Sequence, residues 1–286
     1  FVDEVIGSGA MKDVYFSPDK SYVVCFFTKE KNSFYQSQAE LERQKDRLKE
    51  IVGNKWQGIF NSAGGDYWKN VFCWPDGLVE YNGLLGITAP TYQQAFFFEF
   101  GSKNDDFLGI KGKEKEGKWF ASANNQTRFL DEREKGTWLN YLKICILIAR
   151  AVRRMHAAGL AHSDLSYKNI LIDTVTGSAC VIDVDGLVVP GKYPPDVVGT
   201  PDFIAPEVIQ TNHLKKDDPK RHLPNIMTDR HALAVLIYMY LLYRHPLRGG
   251  LVHDLNDPQR DENLAMGEQA LFIEHPTDHR NRVKVS

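Results

Sequence analysis

The sequence predicts an α+β fold in two lobes, a small antiparallel sheet with one helix followed by a larger helical lobe, within a chain of 286 residues. Three observations predict it. The first thirty residues alternate and turn as a β-hairpin does, the texture becomes polar over 102–136, and from Thr137 onward apolar residues recur at helical spacing. A chain of this length buries a large core, as one two-lobed domain or two small ones.

In chain order, "DVYF", a turn at Ser17-Pro18-Asp19 and "YVVCFF" make the hairpin, rich in β-branched and aromatic residues. Ser33, Phe34, Tyr35 and Gln36 have capping-box spacing, so a charged helix is expected from there to Val52, stopping at Gly53 and Asn54. Two further strands are expected near 84–87 and over 95–100, with a hinge close to Gly101. Residues 102–136, rich in Lys, Gly and Asn, suggest a connection carrying a surface insertion. Trp138, Leu142, Cys145, Ala149, Val152 and Met155 or His156 recur at helical spacing in one long amphipathic helix that ends before Gly159. The first lobe is therefore assigned to 1–101, the connection to 102–136 and the helical lobe to 137–286, with the cleft between lobes a natural place for a small molecule.

Bulk properties narrow the function classes. Lys and Arg number 35 against 37 Asp and Glu, so no charge excess drives the chain toward nucleic acid or an acidic membrane. Cys25, Cys73, Cys145 and Cys180 are scattered in apolar surroundings without zinc spacing, which fits reduced thiols and a cytoplasmic location. The apolar run 232–243 is too short to span a bilayer, and no signal peptide is visible. The start at Phe1, already inside a strand-like pattern, points to a domain cut from a longer protein.

The strongest local signal is "HSDLSYKNIL", residues 162–171. Taken alone, one Asp and one Asn on a loop describe a solvated turn as well as a site. Order changes that. A strand, "ACVI", delivers Asp183 at its end; "GTPDFIAPE" (199–207) follows; Asp229 then heads an apolar helix. In these residues the sequence resembles the protein kinase family: HxDxxxxN, an Asp in the DFG position, an APE segment and the helix after it, over most of the chain.

The resemblance implies a bilobal kinase-like fold and phosphoryl transfer from ATP with Mg2+, in which a protein supplies positioning and charge neutralisation. Asp164 would orient the substrate hydroxyl, and Asn169 and Asp183 would supply hard oxygens to magnesium. Asp185 is the alternative to Asp183, which is preferred because it directly ends the apolar strand. Ser163 replaces the arginine of HRD, and Asp185 stands where DFG has glycine. Lys168, four residues after Asp164, would reach the transferring phosphate or point to solvent. Thr200 implies Ser/Thr substrates, and Glu207 implies a structural pair with Arg282, or with Arg280.

At the amino end, Gly7, Gly9 and Val14 fit the glycine-rich loop of the family, with Lys12 at its third glycine. The strand lysine is absent: Val23 stands at its alanine neighbour and Cys25 at the lysine itself. This is similar to the with-no-lysine kinases, and it implies that Lys12 is the phosphate-binding cation. Glu40 is taken as its helix partner, with Glu42 as the alternative. Phe98, Glu99 and Phe100 are taken as the adenine-binding hinge, with Phe98 as gatekeeper. The sequence also looks like bacterial eukaryote-like Ser/Thr kinases near tellurite-resistance genes, whose typical companions are a metal-dependent phosphatase and a von Willebrand-type protein. A second reading is a pseudokinase that binds nucleotide or a partner without turnover. A third, an aminoglycoside-phosphotransferase type of enzyme, is opposed by the APE segment.

Overall fold

The computed structural model describes residues 1–61, 64–189, 191–193, 195, 199–215 and 218–283. The chain divides into two units, Phe1–Gln94 with Cys180–Leu187, and Ala95–Ala179 with Val188–Ser286. The first unit thus ends at Gln94, ahead of the expected boundary at 101, and takes back the short segment around Asp183.

The first unit contains β1 (Val5–Ser8), β2 (Lys12–Phe16), β3 (Tyr22–Phe27), β4 (Gly77–Tyr81) and β5 (Leu84–Pro90), paired antiparallel in the order β1-β2-β3-β5-β4. Register sets its faces. Lys12 lies opposite Phe27 and Val14 opposite Cys25, so Lys12, Val14, Val23, Cys25 and Phe27 share one face. On that face Cys25, Phe27, Leu48, Leu85 and Ile87 form a buried cluster, with Met11, Val14 and Val23 packed against it. The other face gathers the rings of Tyr15, Phe26 and Tyr81 around Phe1, with centroids 5.2 Å from it.

The helix starts later and runs further than expected. Ser33–Gln36 is a separate 3-10 turn, and the α-helix proper is Gln38–Glu50. It passes through Gly53 as a π-helical stretch, Ile51–Lys55, into Trp56–Phe60. Ile51, Ile59 and Phe60 are buried, and Trp74 Nε1 donates to the Ile51 carbonyl at 3.0 Å. Packing of this apolar face outweighs the helix-breaking tendency of one glycine.

No strand forms over 95–100. The sheet ends at Pro90, a residue that cannot donate to a ladder, and the next element is the 3-10 turn Gln94–Phe96. The aromatic run is there to be buried: Phe96 and Phe98 are each 2 % exposed, and Phe98 packs on Trp119 and Phe120.

In the second unit the helices Trp138–Ala157 and Ile226–Leu242 pack on each other. Thr137 and Asn225 cap them, Asn225 in a capping box with Thr228. The buried stripe of the first helix runs through Tyr141, Ile144, Cys145, Ile148, Ala151, Val152 and Met155. Trp138, expected on it, is exposed. β6 (Ile170–Asp173) and β7 (Ser178–Val181) form a separate two-stranded sheet.

The expected surface insertion is mostly exposed or half-buried, but it is tied down by a few buried residues, among them Ile110, Lys115, Phe120, Ala121, Gln126, Leu130 and Glu134. Its anchor is ionic. Lys115 Nζ lies 3.1 Å from Glu134 and 3.3 Å from Asp173. Glu134 Oε1 also accepts from the backbone N–H groups of Phe100 at 2.6 Å and Gly101 at 3.1 Å. Lys115→Met leaves two buried carboxylates without their ammonium and is expected to cost about 3–5 kcal/mol. Urea unfolding measures this, and a change below about 1 kcal/mol contradicts the anchoring role.

Candidate active site

The loop lysine, Lys12, opens β2 directly after the turn from β1. Neither Gly7 nor Gly9 has a positive φ, and a Cβ on either would meet nothing closer than 3.8 Å. Neither strain nor crowding requires glycine here; what glycine leaves is bare backbone open to close approach. Side chains pin the turn from outside. Lys31 Nζ donates to Asp13 at 2.6 Å and to Ser8 at 2.7 Å, and Asn32 Nδ2 donates to the Met11 carbonyl at 2.7 Å.

From the start of β2 Lys12 Nζ donates to both oxygens of Asp185, at 2.6 and 2.7 Å, and to Asp183 at 2.9 Å. Burial alone would lower the lysine pKa, but the carboxylates of Asp185 and then Asp183 outweigh it, so the ammonium is held charged well above its usual range. Cys25 sits close enough to feel this cation. Burial pushes its thiol up to about 11 and Lys12 pulls it down, so Cys25 stays a neutral thiol and supplies no charge.

Asp183 lies two residues past the end of β7, in the left-handed region at φ 59° and ψ 38°, a conformation Asp tolerates better than most residues. Its side chain is 49 % exposed, whereas that of Asp185 is 9 % exposed. Val184 between them is buried.

In the second unit the loop after Leu160 is hung from the helix Ile226–Leu242. Asp229 accepts from the backbone N–H of His162 at 2.7 Å and of Ser163 at 3.0 Å, and His156 Nε2 lies 3.0 Å from it. Ser163, at φ 67°, is thereby held in a conformation that costs a non-glycine residue energy. Asp164 comes next, half-buried. Its Oδ1 accepts from the Thr200 N–H at 2.6 Å and hydroxyl at 2.7 Å. Its Oδ2 accepts from Asn169 Nδ2 at 3.1 Å, and the same amide donates to the Asp164 carbonyl at 2.8 Å. Because the amide nitrogen of Asn169 is committed, its oxygen is turned the other way. Lys168 is exposed.

A family model, the protein kinase domain, matches residues 116–281 of this chain. The chain belongs to the protein kinase family. It is similar to death-associated protein kinase dapk-1 of Caenorhabditis elegans, 29 % identical over 42 % of this chain and 8 % of that protein. It is also similar to serine/threonine-protein kinase PknD of Chlamydia caviae, 25 % identical over 52 % of this chain and 16 % of that protein. Calcium-dependent protein kinase 4 of Arabidopsis thaliana is 39 % identical over 24 % of this chain and 14 % of its own length. The match to each of these relatives thus covers less than a fifth of that relative's length.

Asp164, Asn169, Asp183 and Thr200 fall inside the matched kinase region; Lys12, Gly7, Gly9, Val14 and Val23 precede it. Val14 and Val23 line the sheet face that carries Lys12. Glu40 does not meet Lys12: it is exposed at the start of its helix. Glu42 is exposed as well and pairs with Lys45 and Gln38. The inward residues of that helix are Gln44, Arg47 and Leu48.

The expected kinase hinge also moves. The Phe98 N–H donates to the Lys113 carbonyl at 2.9 Å, and those of Phe100 and Gly101 to Glu134. With these donors spent inside the second unit, Phe98 and Phe100 have no N–H left to read an adenine edge, and Glu99 is exposed. The chain leaves the sheet through residues 91–94, and the sequence signal for this was Pro90. Arg280 pairs with Asp278 at 2.7 Å, and Arg282 and Glu207 are both exposed. No Glu207 pair with either arginine forms among the described residues. Arg248 instead bridges Asp202 and Glu262.

No helix among the described residues is long and apolar enough to cross a membrane.

Proposed function

We propose that this kinase transfers the γ-phosphate of Mg-ATP to serine or threonine hydroxyls of a protein, with Lys12 in place of the usual strand lysine. The observation that carries it is the setting of Asp164. One carboxylate oxygen is fixed by Thr200 and the other by Asn169, on a loop suspended from Asp229. A half-buried carboxylate held this way accepts a hydrogen bond from an incoming hydroxyl and aligns it for in-line attack.

The donor set suits magnesium. Among the described residues no three His, Cys, Asp or Glu side chains cluster as a metal cage, and magnesium asks for one or two protein oxygens while keeping its waters. The half-exposed Asp183 carboxylate is of that kind, and the family pattern adds the amide oxygen of Asn169. Bound magnesium would neutralise phosphate charge. Lys12 would bring a fixed positive charge to the phosphates, and the bare backbone at Gly7 and Gly9 lets them approach.

Incubation with ATP labelled at the γ-position, followed by acid hydrolysis of the labelled protein, tests the proposal. Phosphoserine or phosphothreonine is the expected product, on an added acceptor or on the chain itself. A nucleotide-binding module without turnover is the second reading, favoured by the engagement of Lys12 with both nearby carboxylates. ATP bound with no label transferred would establish it.

A further inference from the structure

We propose that Asp185 is the positioning residue for Lys12, taking over what a helix glutamate does in the family pattern. The inference rests on the reading of Lys12 as the phosphate-binding cation, and three observations carry it.

First, the helix Gln38–Glu50 brings no carboxylate to Lys12. Its buried residues are Gln44, Arg47 and Leu48; Glu40 is exposed at its start, and its other acids pair elsewhere, Glu42 with Lys45, Asp46 with Lys49 and Glu50 with Lys55. Second, Asp185 meets Lys12 with both oxygens, at 2.6 and 2.7 Å, and its side chain is 9 % exposed. Asp183 meets it with one, at 2.9 Å, and is 49 % exposed. The two carboxylates therefore divide the work. Asp185 holds the lysine with both oxygens, and Asp183 is the half-exposed member of the pair. Third, the Asp185 turn is itself fixed. Val184 before it is 1 % exposed, and the Arg47 guanidinium flanks Gly186 after it, 4.0 Å from where a Cβ would stand.

A departure from the family pattern thus gains a purpose. Glycine in place of Asp185 would leave Lys12 with only the exposed carboxylate. The ammonium would then compete with any cation for Asp183. A second, buried carboxylate gives the lysine a holder of its own beside Asp183, and charge-assisted hydrogen bonds strengthen as water is excluded.

The test reads Lys12 directly and does not need activity. N-hydroxysuccinimidyl acetate is applied to the ligand-free protein, and Lys12 acetylation is followed by mass spectrometry. Asp185→Asn is expected to raise the Lys12 labelling rate about tenfold, the scale of one hydrogen bond to a charged group. Asp185→Glu, which keeps the charge, is expected to restore most of the protection. Asp183→Asn is expected to leave Lys12 protected, which keeps the test decisive if Asp185→Asn folds poorly. In the transfer assay Asp185→Asn should weaken the apparent affinity for ATP without moving the MgCl2 concentration for half-maximal rate, whereas Asp183→Asn should move it.

Unchanged Lys12 labelling in Asp185→Asn, or full exposure of Lys12 in Asp183→Asn, overturns the assignment. So does a magnesium requirement shifted by Asp185→Asn as much as by Asp183→Asn. Wild-type protein that transfers no phosphate while showing the expected labelling pattern would sink the kinase reading and leave Asp185 as the holder of Lys12.

Discussion

Asp164→Asn is expected to lower phosphoryl transfer by about 10²–10⁴-fold, the range for losing a positioned acid or base, while the fold and nucleotide affinity persist. The substitution preserves size, so Thr200 keeps an oxygen to donate to, now an amide oxygen in place of Oδ1. What changes is charge and one contact. Asn169 Nδ2, 3.1 Å from Asp164 Oδ2, would face a second amide NH2 group and lose an acceptor, although its 2.8 Å bond to the residue-164 carbonyl remains. The loop stays anchored through Asp229, which accepts from the backbone N–H groups of residues 162 and 163. A thermal melt close to wild type with label incorporation near background is the expected pair of results. Incorporation at the wild-type rate would remove Asp164 from the reaction and the proposed function with it.

The helical lobe and its loop were legible because their signals are local and ordered. Thr137 caps a helix and "HSDLSYKN" is one short loop, so each position follows from its neighbours in sequence. The sheet was legible where alternation and turn residues agreed, as in β2 and β3. It failed over 95–100, where "AFFFEF" has the composition of a strand but makes only an isolated bridge, Phe97 to Glu114, as Phe96 and Phe98 fold into the core. β propensity measures fit to a half-buried surface, and an aromatic run satisfies that without a full ladder. Residues 102–136 hide one exception to their surface character. Their lysines and acids look solvated, yet Lys115 and Glu134 neutralise each other inside. Glu40 against Asp185 is the same lesson at the site. A helix acid was the expected partner of Lys12, but which carboxylate meets a lysine 173 residues away is a tertiary fact. The hint in the sequence is an acid at position 185 where the family has glycine.

Lys12→Ala carries the other large effect, a fall in transfer of about 10²–10³-fold, the scale for one preorganised cationic or hydrogen-bonding group at a developing charge. The geometry also says where a replacement cation can stand. Val14 lies opposite Cys25 and Lys12 opposite Phe27 in the β2–β3 register, so residues 12 and 25 share a sheet face on adjacent strands, one residue pair out of step. The Lys12 ammonium sits 5.8 Å from the Phe27 ring centre on that face, and the Cys25 thiol responds to its charge. Cys25→Lys in the Lys12→Ala background would return the ammonium to the strand, from which a four-carbon stem can reach the same acidic pair. Transfer is expected to recover in this double variant, above Lys12→Ala and below wild type. Lys12→Ala also strips the buried Asp185 of its ammonium, so part of the loss could come from destabilisation; thermal unfolding separates the two, because Cys25→Lys should restore both stability and turnover. Lys12→Ala protein that is stable and turns over at the wild-type rate would show that the loop lysine is a bystander. A double variant that regains stability but no transfer would show that the cation must approach from the loop, making the position of the charge, beyond its presence, the requirement of this site.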